Sequence, residues 1–219
     1  MTDTQRNLGI GLGIVLLAGL GLYWYAQSGS TQETPGSVAS TTVGGISASG
    51  DYTVGESNVE IPAPDYRAAL KFDAATSVEV RAALNSQIEV VRKALNANKA
   101  DFDSWVRLGA IRKVAGDYAG AAEAWEFVSV ISPENAISPN NLCDLYLNFL
   151  KQYPKAEVAC KKAVATNSKN IDAYVNLYYL YHAYYKQGTG ADTAALNEGL
   201  KNNPGNSTLL ALKAQAQAQ

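Results

Sequence analysis

The residues that carry most catalytic and metal chemistry are scarce in this chain. Its 219 residues include two cysteines, Cys143 and Cys160, and a single histidine, His182. Two thiols and one imidazole lack the ligand spacing of a zinc site, so no metal is expected. His182 has no sequence neighbour suited to act with it as nucleophile or acid, and no Ser-His-Asp order, P-loop or HExxH pattern occurs. Nothing therefore points to an enzyme or to a cofactor. An excess of one charge is lacking too: 18 Lys and Arg stand against 20 Asp and Glu, a net charge of −2. The signs are interspersed, which reads as solvated helix faces and gives no basic footprint for nucleic acid.

Charge is missing altogether between Asn7 and Gln32, and Leu8 to Ala26 forms an apolar run of 19 residues. As a helix it spans about 28 Å, close to the hydrocarbon thickness of a bilayer. Tyr23-Trp24-Tyr25 at its end suits the membrane-water interface. We read residues 8–26 as a retained transmembrane helix. A cleavable signal peptide is the rival reading, but its core is usually shorter, and large aromatics before Ala26 fit a small-residue cleavage site badly. Arg6 precedes the run and the next basic residue is Arg67, so the positive-inside rule puts residues 1–7 in the cytoplasm and the remainder outside. Gly9-x-x-x-Gly13 inside the run reads as ordinary packing rather than a pairing motif. Nor is Gly9-x-Gly11-x-Gly13 a nucleotide loop, because no strand precedes it.

Residues 27–64 read as a flexible linker. The stretch to about residue 58 is rich in Ser, Thr and Gly and has no apolar period, so it buries too little to offset its conformational entropy. It would span roughly 30 Å root-mean-square. Ile61-Pro62-Ala63-Pro64 is stiff and extended, and marks the approach to a folded domain. About 155 residues remain, enough for one core. In the region 65–101, Ser77 is an N-cap and Val80, Leu84, Ile88, Val91 and Leu95 form one helical stripe. The stripe is too short for a coiled coil and is expected to cap the exposed edge of the helices C-terminal to it.

Trp105, Leu108, Gly109, Gly116, Asp117, Tyr118, Ala121, Trp125 and Pro133 have the spacing of a helix-turn-helix unit of about 34 residues. Trp105, Leu108 and Gly109 share one helix face. Gly109 costs roughly 1 kcal/mol against Ala, tolerable where a second helix approaches closely, with Ala121 expected to meet it. Gly116-Asp117-Tyr118 supplies the turn, and Trp125 and Val128 carry the face of the second helix. In these residues the chain resembles the tetratricopeptide-repeat (TPR) family, with Arg112 where a Tyr is usual. The resemblance extends over 102–216. Tyr174, Leu177, Tyr178 and Tyr181 repeat the first-helix spacing, and Leu196, Gly199 and Pro204 the second, after an insertion at Gly188-Thr189-Gly190. Between them, Tyr153, Ala156, Cys160, Ala163 and Ser168 read as a second helix. Its partner runs from about Pro139 to Leu150, with Asp144 where the close-packing Gly is expected. Ser207 to Ala216 reads as a terminal cap.

The resemblance implies an all-α chain: a transmembrane helix, a linker, and a TPR-like solenoid of about three repeats with capping helices. Stacked repeats of this kind offer a concave groove to another polypeptide. By the family's register the groove takes Arg107, Ala110, Lys113, Asn141, Leu145, Asn148, Asn176, Tyr179 and His182, with Tyr179 the leading contact because Tyr is enriched at interfaces. The basic-and-Asn clamp with which some relatives hold a carboxylate is absent, since Val106, Leu142 and Asp172 take positions it would use. Cys143 and Cys160 fall on facing helices of the middle repeat; a disulfide worth roughly 3 kcal/mol and two buried free thiols both remain open. The function expected is a membrane-tethered scaffold or adaptor outside the cytoplasm, in cell-envelope assembly for example. The alternative is a structural subunit that associates with copies of itself.

Overall fold

Turn chemistry recurring at a near-constant interval sets the architecture. Asp101, Asn135, Asn170 and Asn206 each donate a backbone N–H to the carbonyl three residues before, on Asn98, Ser132, Asn167 and Asn203. Each side-chain oxygen then accepts the N–H three residues ahead, on Ser104, Ser138, Ala173 and Leu209. Such bonds satisfy first-turn donors that a helix leaves unpaired. The same cap thus starts a helix at intervals of 34, 35 and 36 residues.

The computed structural model describes residues 62–217, and among them all regular secondary structure is helical. The helices are α1 Val78–Ala97, α2 Phe102–Ala115, α3 Tyr118–Ile131, α4 Ile137–Asp144, α5 Tyr153–Thr166, α6 Ile171–Tyr179, α7 Ala191–Asn202 and α8 Ser207–Gln217. Two of them run on into π-helical turns, α4 into Leu145–Phe149 and α6 into Leu180–Tyr184. Each helix packs on the next along the chain, and α4 also packs on α6. No helix among the described residues is long and apolar enough to cross a membrane. The expected cytoplasmic N-terminus 1–7, transmembrane helix 8–26 and linker up to residue 61 lie outside the described residues.

The compact unit begins at Ala63. Ser77 Oγ accepts the Val80 N–H at 3.3 Å and starts α1, whose Leu84, Ile88, Val91 and Leu95 are buried and which packs on α2. The segment before α1 is a strap without regular structure. Tyr66 packs edge-on against Trp105, ring centroids 5.9 Å apart, and its hydroxyl donates to Asn96 Oδ1 at 3.0 Å. Further along the strap, the Asp73 N–H donates to the Ala115 carbonyl at 2.8 Å. Arg112 fastens the strap from inside: its guanidinium, 3 % exposed, donates to the carbonyls of Asp65 at 2.7 Å and Gly120 at 3.1 Å, with the Asp117 carboxylate 4.0 Å away. An Arg at this place is therefore a structural pin that its main-chain partners satisfy.

In the α2–α3 pair the close approach at Gly109 is real, but its partner differs from expectation. A Cβ on Gly109 would lie 2.3 Å from Trp125 Nε1, so the indole, not Ala121, occupies the gap. The Trp125 N–H donates to the Val106 carbonyl at 3.1 Å, and that of Trp105 to the Lys99 carbonyl at 2.8 Å, which lets both buried rings meet the need of their one polar atom. Gly116 ends α2 with φ 92° and Asp117 caps α3 through the Gly120 N–H.

In the α4–α5 pair Cys143 and Cys160 are bridged, with S–S 2.01 Å and Cα–Cα 4.6 Å. Cys143, rather than Asp144, is the counterpart of Gly109: it lies 34 residues further on, the interval that also separates the caps Asp101 and Asn135. Beside it, Glu157 of α5 is buried and accepts bonds from the Tyr181 hydroxyl at 2.8 Å and from Lys161 and Lys186 at 2.7 Å. Burial pushes this carboxyl up, but the three donors outweigh it and hold it down to about 2. The same contact, with burial first, pushes the Tyr181 hydroxyl up. Tyr174, Tyr178 and Tyr181 are core residues, as their spacing predicts.

Candidate functional site

The helices that begin at the recurring caps, α2, α4 and α6, carry the expected groove residues. Arg107, Asn141 and Asn176 take matching places on the three, and all are half-buried. Between α4 and α6 lies a cavity of about 260 Å³ lined by Asn140, Asn141 and Asp144 on one side and Asp172, Val175 and Asn176 on the other. The Asn170 amide donates to Asn140 Oδ1 at 2.9 Å, which ties the start of α6 to α4 beside the cavity. Toward α2, Lys113 Nζ meets Asp144 Oδ2 at 2.5 Å and stands 4.7 Å over the Phe149 ring. Asn148 Nδ2 donates to the other Asp144 oxygen at 2.8 Å. Asp144 is thus the centre of the surface, held from both sides.

Leu145 does not belong to it. Its side chain is fully buried, and the reason is register. Asn141 lies 34 residues after Arg107, so the counterpart of Ala110 is Asp144 and Leu145 turns into the core. The π-helical turn Leu145–Phe149 then adds one residue to the helix path, and this returns Asn148 to the exposed side where it was expected. Ala110 is half-buried and packs against the core instead of offering a contact.

Tyr179 remains 45 % exposed, with its ring edge-on to Tyr178 at 5.2 Å. His182 is claimed from within: Nδ1 lies 3.1 Å from Asp192 Oδ2 of α7 and the ring stacks on Tyr178 at 5.1 Å. Burial pushes the Asp192 carboxyl up, but the hydrogen bond to His182 and the Thr193 N–H hold it below its ordinary value. That acid partner was not visible in the sequence, because it reaches His182 across the inserted loop at Gly188–Gly190.

Neither a family model nor a curated protein matches this chain. Its chemistry must therefore be read from the surface itself. Asn141 and Asn176 each offer both a donor and an acceptor, the complement of a main-chain amide, and Asp172 adds a carboxylate. Among the described residues no three His, Cys, Asp or Glu side chains gather where a metal could be held. Sequence spacing missed Asp144, Asn140 and Val175 as members of the surface, and gave Asp172 only as the occupant of a clamp position. The signal that could have found Asp144 was its distance of 34 residues from Ala110, the interval already set by Arg107 and Asn141.

Proposed function

We propose that this chain is a membrane-tethered scaffold of the tetratricopeptide-repeat kind, which holds a segment of another protein across α2, α4 and α6 outside the cytoplasm. The observation that carries this reading is the recurrence of one cap and turn at Asp101, Asn135, Asn170 and Asn206. It gives Arg107, Asn141 and Asn176 the same place on α2, α4 and α6, six residues after each cap. A guanidinium and two amides at one repeated position suit an extended chain, whose own polar groups recur regularly. The bridge between Cys143 and Cys160 supports a place outside the cytoplasm, where disulfides persist. The apolar run Leu8–Ala26 would anchor the chain.

The test is photocrosslinking in cells from position 179, read by mass spectrometry. One dominant foreign protein, lost when Asn141 and Asn176 are both changed to Ala, is the expected result. Crosslinks to the chain itself would replace the scaffold with a self-associating subunit. No specific product at all would end the groove reading.

A further inference from the structure

A second surface lies on the opposite helix set, between α3 and α5, with α4 as its floor. It is an apolar groove of about 510 Å³. Pro139, Leu142 and Ala159 line it, and all three are buried. Val158, on its α5 wall, is 71 % exposed, more than a folded chain needs to leave in water at this point. Lys155 and Lys162 flank Val158 on the same helix. The two lysines are seven residues apart, close to two turns or about 10 Å along the axis.

The charges around this groove are unbalanced. Glu126 on the α3 wall accepts the Tyr146 hydroxyl and lies 3.5 Å from Lys155, whose ammonium also stands 5.1 Å over the Tyr146 ring, so these two charges offset one another. Lys162 has no ion-pair partner among the described residues. Lys161, its neighbour, is taken by Glu157. The rim keeps a net positive charge through Lys162, and an apolar channel with such a rim complements a segment that is apolar on one face and acidic along the edge.

We propose that this groove docks an amphipathic helix of a partner protein, with a large aliphatic side chain seated against Val158 and Leu142. Two Asp or Glu residues, seven positions apart on that helix, meet Lys162 and the exposed Lys155, which the second of them shares with Glu126. This helix-in-groove mode uses none of the residues on α2, α4 and α6 assigned to the extended segment. The protein would then hold two partners on opposite faces.

The probes are three fluorescein-labelled 18-residue helical peptides: one with central Leu residues and Glu at positions i and i+7, one with Lys in place of both Glu, and one of scrambled sequence. Binding to the full-length chain in detergent is followed by fluorescence anisotropy, with detergent alone subtracted. The acidic peptide is expected to bind at least tenfold more tightly than either control. Val158→Glu should weaken it at least tenfold, and raised salt should weaken it as well. The double variant Lys155→Glu/Lys162→Glu should reverse the preference toward the Lys peptide, which a merely misfolded variant would not do. Tyr179→Ala should leave binding unchanged, which separates this groove from the concave one. Equal binding of acidic and Lys peptides, or indifference to Val158→Glu, would overturn the proposal. A monomer-dimer equilibrium of the chain abolished by Val158→Glu would overturn it in favour of a second copy as occupant.

Discussion

Cys143 lies opposite Cys160 at the place in its helix pair where Gly109 lies opposite Trp125 in the pair before. One junction brings two helices together by removing a side chain beneath a large ring. The next does so with a covalent bond between two small ones. The same backbone approach is thus met by two unrelated chemistries, and each can be tested alone.

Replacing Gly109 by Ala should destabilise the domain by about 1 to 2 kcal/mol. Helix propensity favours Ala by roughly 1 kcal/mol, but overpacking against a buried ring costs about 1 to 3. The clash should win because a Cβ would meet Trp125 at 2.3 Å and the ring is tied to the Val106 carbonyl. Urea unfolding of residues 63–219 measures the difference; a more stable variant would show that the helices part freely.

Loss of the disulfide, as Cys143→Ala with Cys160→Ala, should cost about 3 kcal/mol, since the bridge closes a loop of 17 residues. The reduced wild-type chain should fall to a similar stability. Thermal unfolding with and without reductant checks this, and identical curves would refute it.

Acid should weaken the domain through Glu157. Its carboxyl titrates at about 2 in the folded chain, against about 4.3 when unfolded. The stability it contributes is therefore complete above about pH 5 and is lost as pH falls from there toward 2. The contribution is at most about 3 kcal/mol. Glu157→Gln should flatten the slope of stability against pH in that range while leaving it unchanged at higher pH; a slope equal to wild type would assign the acid sensitivity elsewhere.

Arg112→Met should cost about 3 kcal/mol by stranding the Asp117 carboxylate and the two carbonyls it serves. The local signature is faster hydrogen exchange in the strap, above all at the Asp73 amide. Arg112→Lys should not restore protection, since one ammonium cannot reproduce the fork of the guanidinium. Unchanged exchange in residues 65–76 would show that Tyr66, Arg92 and the Asp73–Ala115 bond hold the strap without Arg112.

The helices and much of the core were legible because their signals are local. Ser77, the stripe from Leu84 to Leu95, the turn at Gly116-Asp117 and the buried Tyr174, Tyr178 and Tyr181 all arise from caps and period. Register beyond Asp144 was not legible, because the π-helical turn that follows α4 has no compositional mark. A trace of it does exist at distance: Leu145-Tyr146 through Lys151 recurs as Leu180-Tyr181 through Lys186, and both lysines have positive φ, 55° and 59°. The pairs Tyr118–Phe149 and Tyr153–Tyr184 keep the same interval of 35. The strap was hidden for another reason. It is fastened to carbonyls by Arg92 and Arg112, and a carbonyl is available on every residue.

A row of helices in which each touches chiefly its neighbours loses order from its ends, one unit after another. The covalent bridge lies in the middle of this row, between α4 and α5. Fraying that starts at α8 or at the strap meets its largest added cost at that pair, roughly 3 kcal/mol while the thiols stay oxidised. Under oxidising conditions α4 and α5 stay tethered to each other even when the outer helices part, so the middle of the row is the pair whose ends have the least distance to recover.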